Sequence, residues 1–355
     1  GVQTCALPIY MEMVQFHPTG LLAGPGTRMT GTVLEEGLRG SGGYLLDETG
    51  ARFMFEYDKR GERATRDIVC RSIADRVRKG FGSPNGGVYI SMGHLGPDNV
   101  RHEFKGMVER CADCGFDLAG GKVEVVPTAH YMMGGVMFNP DCTTPMPRLY
   151  AAGEDTGGVH GANRLGGNGV ANSTVYGGIA GDSMAKALRK DERLADPSQE
   201  VIDMAHERAF APLAKRRSDL EMVRTRLYDI MWNDVGILRT AEGLAKARHA
   251  LNNLASGIAG MGVPDPDPRY NLTWMDRLNL ENLVLVSRAI CAAAQARTDS
   301  RGAHFREDFP QTSDLMTSRY TVARANEDER IDVTTEPVTF TRVKPGDSLL
   351  SQAAE

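Results

Sequence analysis

The sequence of 355 residues lacks the signatures of several common protein classes. Neither GxGxxG nor GxxxxGK followed by Ser or Thr occurs, so these residues contain no ordinary dinucleotide or P-loop phosphate cradle. No apolar run approaches 18 residues, and we expect no membrane-spanning helix. The net charge of −5 gives no reason to expect nucleic acid as a partner.

Cysteine is sparse and scattered, which favours a reducing compartment. Cys111 and Cys114 form a single CxxC pair, and no second pair completes a zinc or iron–sulfur ligand set. We therefore predict reduced thiols in a surface turn, with a redox pair or a metal site as the alternative, and we assign no metal ligands. His206 and Glu207 are not followed by a histidine at position 210, which excludes a HExxH metalloprotease.

Glycine is abundant only in the front half, where residues 1–181 hold 33 of the 40 glycines. This asymmetry predicts a loop-rich front, in which backbone approaches a ligand, and a helical back. Periodicity and turn residues give the individual elements. We predict strands over 11–20, 123–127, 148–154 and 331–343 (broken by Pro337), and helices over 65–79, from after 178 to about 189, within 199–255, and over 279–296.

The most informative stretch is HGANRLGGNG at residues 160–169, which contains Arg164. Its glycines let backbone N–H groups approach a ligand, and a following helix would direct its positive end at that ligand. An anion is the expected occupant, either a carboxylate or the N1–C2=O edge of a reduced flavin. A structural loop with a surface arginine is the alternative.

Further candidate residues stand at the ends of predicted elements. His17 and His130 each close a strand next to a turn, although core histidines would have the same pattern. Glu36 and Arg39 lie one helical turn apart and can pair, even if only as a solvated ion pair. Arg66 lies in the first turn of a predicted helix, where the dipole disfavours a cation, so we expect it to serve something other than helix stability.

Six ordered motifs together resemble the flavoprotein subunit of succinate dehydrogenase and fumarate reductase. They are EMVQFHPTG (12–20), EGLRG (36–40), Arg66-Asp67, PTAHYMMGG (127–135), YAAGE (150–154) and HGANRLGGN (160–168), and SRGAHFREDFP (300–310) resembles the family's C-terminal segment. The likeness covers residues 11 to about 345.

The resemblance implies an α/β protein, α+β overall, with a partial Rossmann-like FAD-binding domain, an inserted capping domain, and helical and C-terminal domains. The implied boundaries are 11–19 and 127–189 for the FAD-binding domain, 20–126 for the cap, 190–298 for the helical domain and 299–355 for the C-terminal domain. Residues 1–10 do not resemble the family, and we interpret them as a cloning or sequence-assembly artefact. The GxGxxG part would then precede residue 11, so we expect this segment by itself to bind FAD poorly and to be inactive.

The resemblance also implies residue roles in an oxidoreductase that acts on a CH–CH bond of a dicarboxylate. His17, His130 and Arg164 would hold the substrate carboxylates. Arg66 would exchange a proton at one central carbon, and Glu36 and Arg39 would carry that proton to and from solvent. FAD would exchange a hydride at the other carbon, with Glu154, Asn168, Gly169 and Val170 as cofactor contacts.

An arginine acid–base is chemically demanding. The guanidinium pKa is at least ~5 units above neutrality, so deprotonation costs roughly 7 kcal/mol. Burial and a nearby cation, for which Arg39 is the candidate, must therefore assist Arg66.

Two departures from the family pattern widen the substrate range. Glu35 stands where many members have a substrate-contacting threonine, and it would repel a carboxylate if it pointed inward. Gly169 stands where many members have serine.

Several alternatives follow from the resemblance. They are succinate–fumarate interconversion, oxidation of an amino dicarboxylate as in aspartate oxidases, and a non-catalytic flavin-binding module. The family often docks a membrane anchor together with an iron–sulfur subunit, while other members are soluble. We accordingly expect a cytoplasmic protein, either free or held peripherally at the inner membrane through partner subunits.

Overall fold

The computed structural model describes residues 7–24, 27–189, 196–326 and 330–347. It consists of two compact units, the first formed by residues 1–13, 133–160 and 170–355 and the second by residues 14–132 and 161–169. Both units combine helices with sheet, as the resemblance implied, and both sheets are antiparallel. No helix of the described ranges is both long enough and apolar enough to cross a membrane.

The second unit is built on a four-stranded antiparallel sheet with the order β2-β5-β4-β3. Its apolar core includes Leu21, Leu45, Phe53, Ile90 and Val125, all fully buried. The strands are β2 (Val14–Leu21), β3 (Tyr44–Leu46), β4 (Val88–Ser91) and β5 (Lys122–Met132), and the helices are α1 (Gly37–Gly40), α2 (Arg66–Arg76), α3 (Pro97–Glu103) and α4 (Lys105–Ala112).

Two irregularities interrupt the pairing of β2 with β5. Gln15 pairs with Tyr131, whereas the next residue of β2, Phe16, pairs with Ala129, so His130 is an extra residue on β5. A second shift follows His17, before pairing resumes at Gly20. Such bulges redirect side chains, because facing otherwise alternates strictly along a strand.

Helix α2 places Arg66 at its first residue. Thr65, the preceding residue, is extended, while Val69 and Ile73 are fully buried and hold the helix against the core. The predicted helix over 65–79 is thus confirmed, although regular α-helix ends at Arg76. Gly80 then adopts a left-handed conformation, with φ 86°, as expected of a glycine that ends a helix.

The first unit combines a four-stranded antiparallel sheet with the longer helices. Ser198, Asp219, Thr240 and Asn271 cap the four helices from α6 onward by accepting first-turn N–H bonds. The strands are β1 (Pro8–Ile9), β6 (Gly135–Val136), β7 (Arg319–Ala325) and β8 (Ile331–Pro337), and the helices are α5 (Asn168–Arg189), α6 (Gln199–Phe210), α7 (Leu220–Asp234), α8 (Ala241–Ala259) and α9 (Leu272–Ala296).

Several predicted elements in this unit need correction. The strand over 148–154 is wrong: Arg148 has a left-handed φ of 68°, and Tyr150 forms only an isolated bridge with Thr143. Helix α5 begins at Asn168, ten residues earlier than expected, because its glycines do not break it. Helix α9 also begins early, at Leu272.

Other differences concern the chain ends and the cysteines. Residues 8 and 9, inside the segment interpreted as foreign to the family, form β1 and pair with β6 and β7, while residues 1–6 lie outside the described ranges. Strand β7 was not predicted, and no strand follows Pro337 within the described residues up to 347. Cys111 is fully buried rather than in a surface turn, whereas Cys114 is half-buried, and both are free thiols.

A buried ion pair joins the start of the first unit to its C-terminal part. Glu12 is fully buried, and its carboxylate accepts from Arg297 Nε at 2.6 Å and from the Thr321 hydroxyl at 2.6 Å. Its backbone carbonyl accepts from Arg239 Nη1 at 2.8 Å. Glu12 therefore fixes the chain two residues before β2.

We predict that Glu12→Ala lowers the free energy of unfolding by about 3–5 kcal/mol, because the buried Arg297 loses a charged partner. Chemical denaturation measures this change. The matched control is Arg208→Ala, since Arg208 pairs with Glu281 at 2.8 Å but is 53 % exposed, and we expect a cost below about 1 kcal/mol there. Equal costs at the two sites would contradict this interpretation of Glu12.

Candidate functional site

The second unit brings the three predicted proton-transfer residues together. Glu36 Oε2 lies 2.6 Å from Arg66 Nη2, and Glu36 Oε1 accepts from Arg66 Nε at 3.2 Å. The same Oε1 lies 3.1 Å from Arg39 Nη2. One carboxylate therefore bridges two guanidinium groups. The one-turn spacing predicted the pair of Glu36 and Arg39, but not the pair of Glu36 and Arg66.

The cluster differs sharply in exposure from one residue to the next. The side chains of Arg39 and Arg66 are 2 % and 9 % exposed, whereas that of Glu36 is 44 % exposed. Arg39 also donates to the Glu62 carbonyl at 2.8 Å, which anchors it inside the unit. Glu36 is thus the member of the cluster in contact with solvent.

Arg164 is held next to His130. Its Nη2 lies 3.1 Å from His130 Nε2, and its guanidinium carbon lies 4.3 Å from the centre of the Tyr131 ring. The His130 and His17 rings meet edge to face, with centroids 5.2 Å apart. The bulge on β5 provides this arrangement, because the extra residue in the strand is His130 itself.

The hydrogen bonds define which nitrogens of the two histidines carry protons. Arg164 can only donate, so His130 Nε2 accepts and the proton lies on Nδ1. The Thr19 backbone N–H donates to His17 Nδ1 at 3.4 Å, and the Thr19 hydroxyl donates to the Leu34 carbonyl. His17 therefore carries its proton on Nε2. Each ring keeps one N–H that can donate to an anion.

Burial and the neighbouring arginines keep both histidines neutral. Burial, followed by the charges of Arg66 and Arg39, lowers the pKa of His17 from 6.5 to about 3. Burial, Arg66 and Arg164 lower the pKa of His130 in the same way. At Glu36, partial burial acts to raise the pKa of the carboxyl. The hydrogen bond and charge of Arg66, together with the charge of Arg39, outweigh burial and hold that pKa below its usual value. The cluster therefore carries three positive charges and one negative charge.

Glycines in the loop 161–169 allow the backbone to approach this cluster. A Cβ on Gly166 would lie 2.7 Å from Glu36 Oε2 and 3.6 Å from Arg66 Nη2. A Cβ on Gly169 would lie 2.9 Å from the Tyr131 ring. A side chain at Gly166 would displace the Glu36 carboxylate, and one at Gly169 would displace the Tyr131 ring, which gives these two glycines a physical cause.

The predicted cofactor contacts are accessible from outside the chain. Glu154 and Asn168 are exposed, Val170 is 77 % exposed, and Gly169 is half-buried. Asn168 to Val170 form the first turn of α5, whose N-terminal N–H groups and dipole suit an electron-rich flavin edge. Asn168 and Gly169, which belong to the second unit, fit the bound group that the loop motif predicted, whereas the cofactor roles of Glu154 and Val170, in the first unit, stay predictions.

Glu35 stands directly before Glu36 and has an exposed side chain. The substrate-binding role assigned to Glu35 stays a prediction.

The sequence analysis assigned no role to three residues that form a hydrogen-bonded chain at Arg66, namely Gln15, Asn163 and Asp67. Gln15 Oε1 accepts from Arg66 Nη1 at 2.9 Å, and Asn163 bonds to both Gln15 and Asp67. The available signal was spacing, since Gln15 lies two residues before His17 on one strand and so shares its face. Nothing comparable marked Asn163.

Comparison with protein families and curated proteins identifies related chains. The FAD binding domain model matches residues 4–170, and the fumarate reductase flavoprotein C-terminal model matches residues 224–349.

A fumarate reductase (CoM/CoB) subunit of Methanothermobacter marburgensis is 38% identical over 310 residues, which is 86% of this chain and 55% of that protein. The 8-methylmenaquinol:fumarate reductase flavoprotein subunit of Wolinella succinogenes is 32% identical over 94% of this chain and 55% of its own length. L-Aspartate oxidase of Nostoc is 33% identical over 85% of this chain and 54% of its own length.

The fold has a counterpart among solved structures. A mutant of the E. coli quinol fumarate reductase protein FrdA superposes with a TM-score of 0.88 at 28% identity, covering 96% of this chain and 61% of that one. The chain spans just over half the length of the curated relatives it matches. The ordered motifs, the cluster of Arg66, Glu36 and Arg39, and these matches agree: the chain belongs to the FAD-binding flavoprotein family of fumarate reductases and succinate dehydrogenases.

Proposed function

We propose that the protein interconverts succinate and fumarate, or a close C4 dicarboxylate pair, with FAD as the redox cofactor. The observation that carries the proposal is the Glu36 carboxylate bridging Arg66 and Arg39 beside the Arg164–His130 pair. This arrangement supplies both a proton carrier and positive charge for an anion. The relatives' names, which include fumarate reductases and succinate dehydrogenases, support the same chemistry.

Charge complementarity supports a dianion as substrate. Three arginines and one glutamate leave two positive charges in excess, because His17 and His130 are neutral. Arg164 would pair with one carboxylate, and the His17 and His130 N–H groups would donate neutral hydrogen bonds. The site would bind a monoanion less well, because part of its positive charge would stay uncompensated.

Arg66 would act as the general acid in fumarate reduction and as the general base in succinate oxidation. Bound FAD supplies or accepts the hydride at one central carbon. Arg66 gives or takes the proton at the other, and Glu36, bonded to two of its nitrogens, restores its protonation state. Arg66 is buried, and it shares Glu36 Oε1 with the Arg39 guanidinium.

The two predicted proton carriers, Glu36 and Arg39, differ in their access to solvent. An exit through Arg39 would end at a buried side chain, whereas Glu36 itself touches solvent. We propose that Glu36 exchanges the proton with solvent and that the charge of Arg39 keeps Glu36 ionised between turnovers, consistent with the lowered pKa of that carboxyl.

A second candidate substrate is an amino dicarboxylate such as aspartate. Glu35 places an exposed carboxylate one residue before Glu36, where it could attract an ammonium group. L-Aspartate oxidases of Nostoc and Yersinia pestis are 33% and 35% identical to this chain. In either case several relatives are named as subunits, and we propose that a further redox subunit, such as an iron–sulfur subunit with a membrane anchor, exchanges electrons with FAD.

Steady-state assays of the FAD-loaded protein test the proposal. We expect fumarate reduction with an artificial electron donor and succinate oxidation with an artificial acceptor. Aspartate oxidation without either reaction would transfer the proposal to the second candidate, and no turnover of any of the three compounds would contradict it.

We predict that Arg66→Lys lowers kcat about 10²–10⁴-fold, while KM changes less than about threefold. Lysine keeps the charge but cannot bond to both oxygens of Glu36. The control is Arg76→Lys on the same helix, since Arg76 contacts Asp47 through Nε and Nη2 at 3.0 and 2.6 Å outside the cluster. Undiminished kcat in Arg66→Lys would reduce Arg66 to an electrostatic role.

We predict that the neutral, buried His17 makes stability fall in mild acid. Its pKa is lowered on folding, so its contribution is complete above the unfolded value near 6.5 and is lost as the pH falls towards 3. Between pH 7 and pH 5 the loss is about 2 kcal/mol, which His17→Gln should abolish. Denaturation at both pH values measures it.

The exposed His94, in the same unit, provides the control as His94→Gln, which should leave the pH dependence intact. If His17→Gln and the wild type lose the same free energy of unfolding between pH 7 and pH 5, His17 is not neutral in the folded protein.

A further inference from the structure

A chain of amide groups lies behind the arginine cluster, entirely within the second unit. Gln15 Oε1 accepts from Arg66 Nη1 at 2.9 Å, and Gln15 Nε2 donates to Asn163 Oδ1 at 3.0 Å. Asn163 Nδ2 then donates to Asp67 Oδ1 at 2.8 Å. We call Gln15, Asn163 and the Asp67 carboxylate at which they end the amide chain. It begins at Arg66 and returns to the next residue of the same helix.

The amide chain can adopt only one orientation. The Arg66 guanidinium has no acceptor, so the Gln15 oxygen must face it. The Gln15 nitrogen also donates to the Arg164 carbonyl at 2.7 Å, and a carbonyl can only accept. Asp67, whose other oxygen pairs with Arg71, accepts from the Asn163 nitrogen. Gln15 is 1 % exposed, and all three of its side-chain bonds are satisfied inside the protein.

The amide chain connects the loop of Arg164 to the start of α2. Asn163 and the Arg164 carbonyl belong to the loop, whereas Arg66 and Asp67 belong to the helix. That loop contains Gly161, Gly166, Gly167 and Gly169, and glycines lose more backbone freedom on ordering than other residues. Hydrogen bonds that order the loop before substrate arrives reduce the entropy that binding would otherwise cost.

We propose that Gln15 and Asn163 are positioning residues that set the distance between Arg164 and Arg66, and so adjust substrate affinity without touching the substrate. This inference rests on the proposed function, because it assigns one arginine to a carboxylate and the other to a proton. It predicts a specific division of effects. Loosening the loop weakens dicarboxylate binding, whereas Arg66 keeps its two bonds to Glu36 and most of its proton-transfer ability.

The test compares wild type with Asn163→Ala in the FAD-loaded protein. The first readout is the Kd of malonate, a dicarboxylate without the reacting CH–CH bond, measured by calorimetry. The second is KM against kcat for fumarate. We expect the malonate Kd and the fumarate KM each to rise about tenfold, and kcat to change less than about threefold.

Asn85→Ala is the matched control. Asn85 Nδ2 donates to the Glu124 carboxylate at 2.8 Å in the same unit, so it removes the same kind of bond outside the cluster. We expect unchanged malonate Kd and fumarate KM for this variant. FAD content and the thermal midpoint show whether each variant is folded. If Asn163→Ala does not fold, Asn163→Asp replaces it, since a carboxylate facing Asp67 breaks the same link by repulsion.

Gln15→Glu probes the other end of the amide chain. Glutamate keeps an acceptor for Arg66 but loses the donors to Asn163 and to the Arg164 carbonyl. We expect a rise in KM at least as large as for Asn163→Ala, together with a lower kcat, because a second carboxylate beside Arg66 makes proton release from the guanidinium harder.

The outcomes separate this inference from the proposed function. The inference is overturned, and the function left intact, if the malonate Kd is unchanged in folded Asn163→Ala or in its aspartate replacement. An effect on kcat without an effect on KM has the same meaning. Wild type that binds malonate but turns over neither fumarate nor succinate overturns the function, and the Kd ratio still decides the inference. Wild type that binds no dicarboxylate overturns both.

Discussion

The second unit depends on the pairing of one carboxylate with two buried guanidinium groups. Arg66 and Arg39 lie almost completely inside the protein, where an unpaired charge would be very costly. Glu36 compensates both from the position directly before the four-residue helix α1, which has no side-chain cap of its own. This charge compensation, together with the buried Leu38, holds the short helix in place and with it Glu36.

Every other contact in the cluster follows from that constraint. The loop of Arg164 approaches Glu36 where Gly166 leaves room for the carboxylate. Burial keeps the two histidines neutral, assisted by the charges of Arg66 and Arg39 at His17 and of Arg66 and Arg164 at His130. Neutral imidazoles then donate hydrogen bonds without adding charge, so the excess of two positive charges comes from the arginines. Under the proposed function, this charge balance favours a dianion.

The sequence predicted the residues that the cluster brings together better than their neighbours. His17 and His130 were singled out by strand ends, Arg66 by its place at a helix start and Arg164 by a glycine-rich loop, and their roles stay predictions. Gln15 could have been found by its spacing from His17. Asn163 could not, because its partners Gln15 and Asp67 are distant in sequence and only the fold brings them together. The strand predicted over 148–154 is absent for a local reason, because Arg148 adopts a left-handed φ that regular strand pairing does not allow.

The bulge on β5 has a consequence for how this strand can change. His130 faces the cluster because one extra residue shifts the alternation of side chains between Tyr131 and Ala129. Deleting a single residue there would restore regular pairing with β2 and remove the extra position from which His130 meets Arg164, while the pairs on either side would stay the same. The number of residues in this strand therefore matters to the proposed site as much as their identity, and a one-residue gap at this point of an alignment would mark the loss of that position.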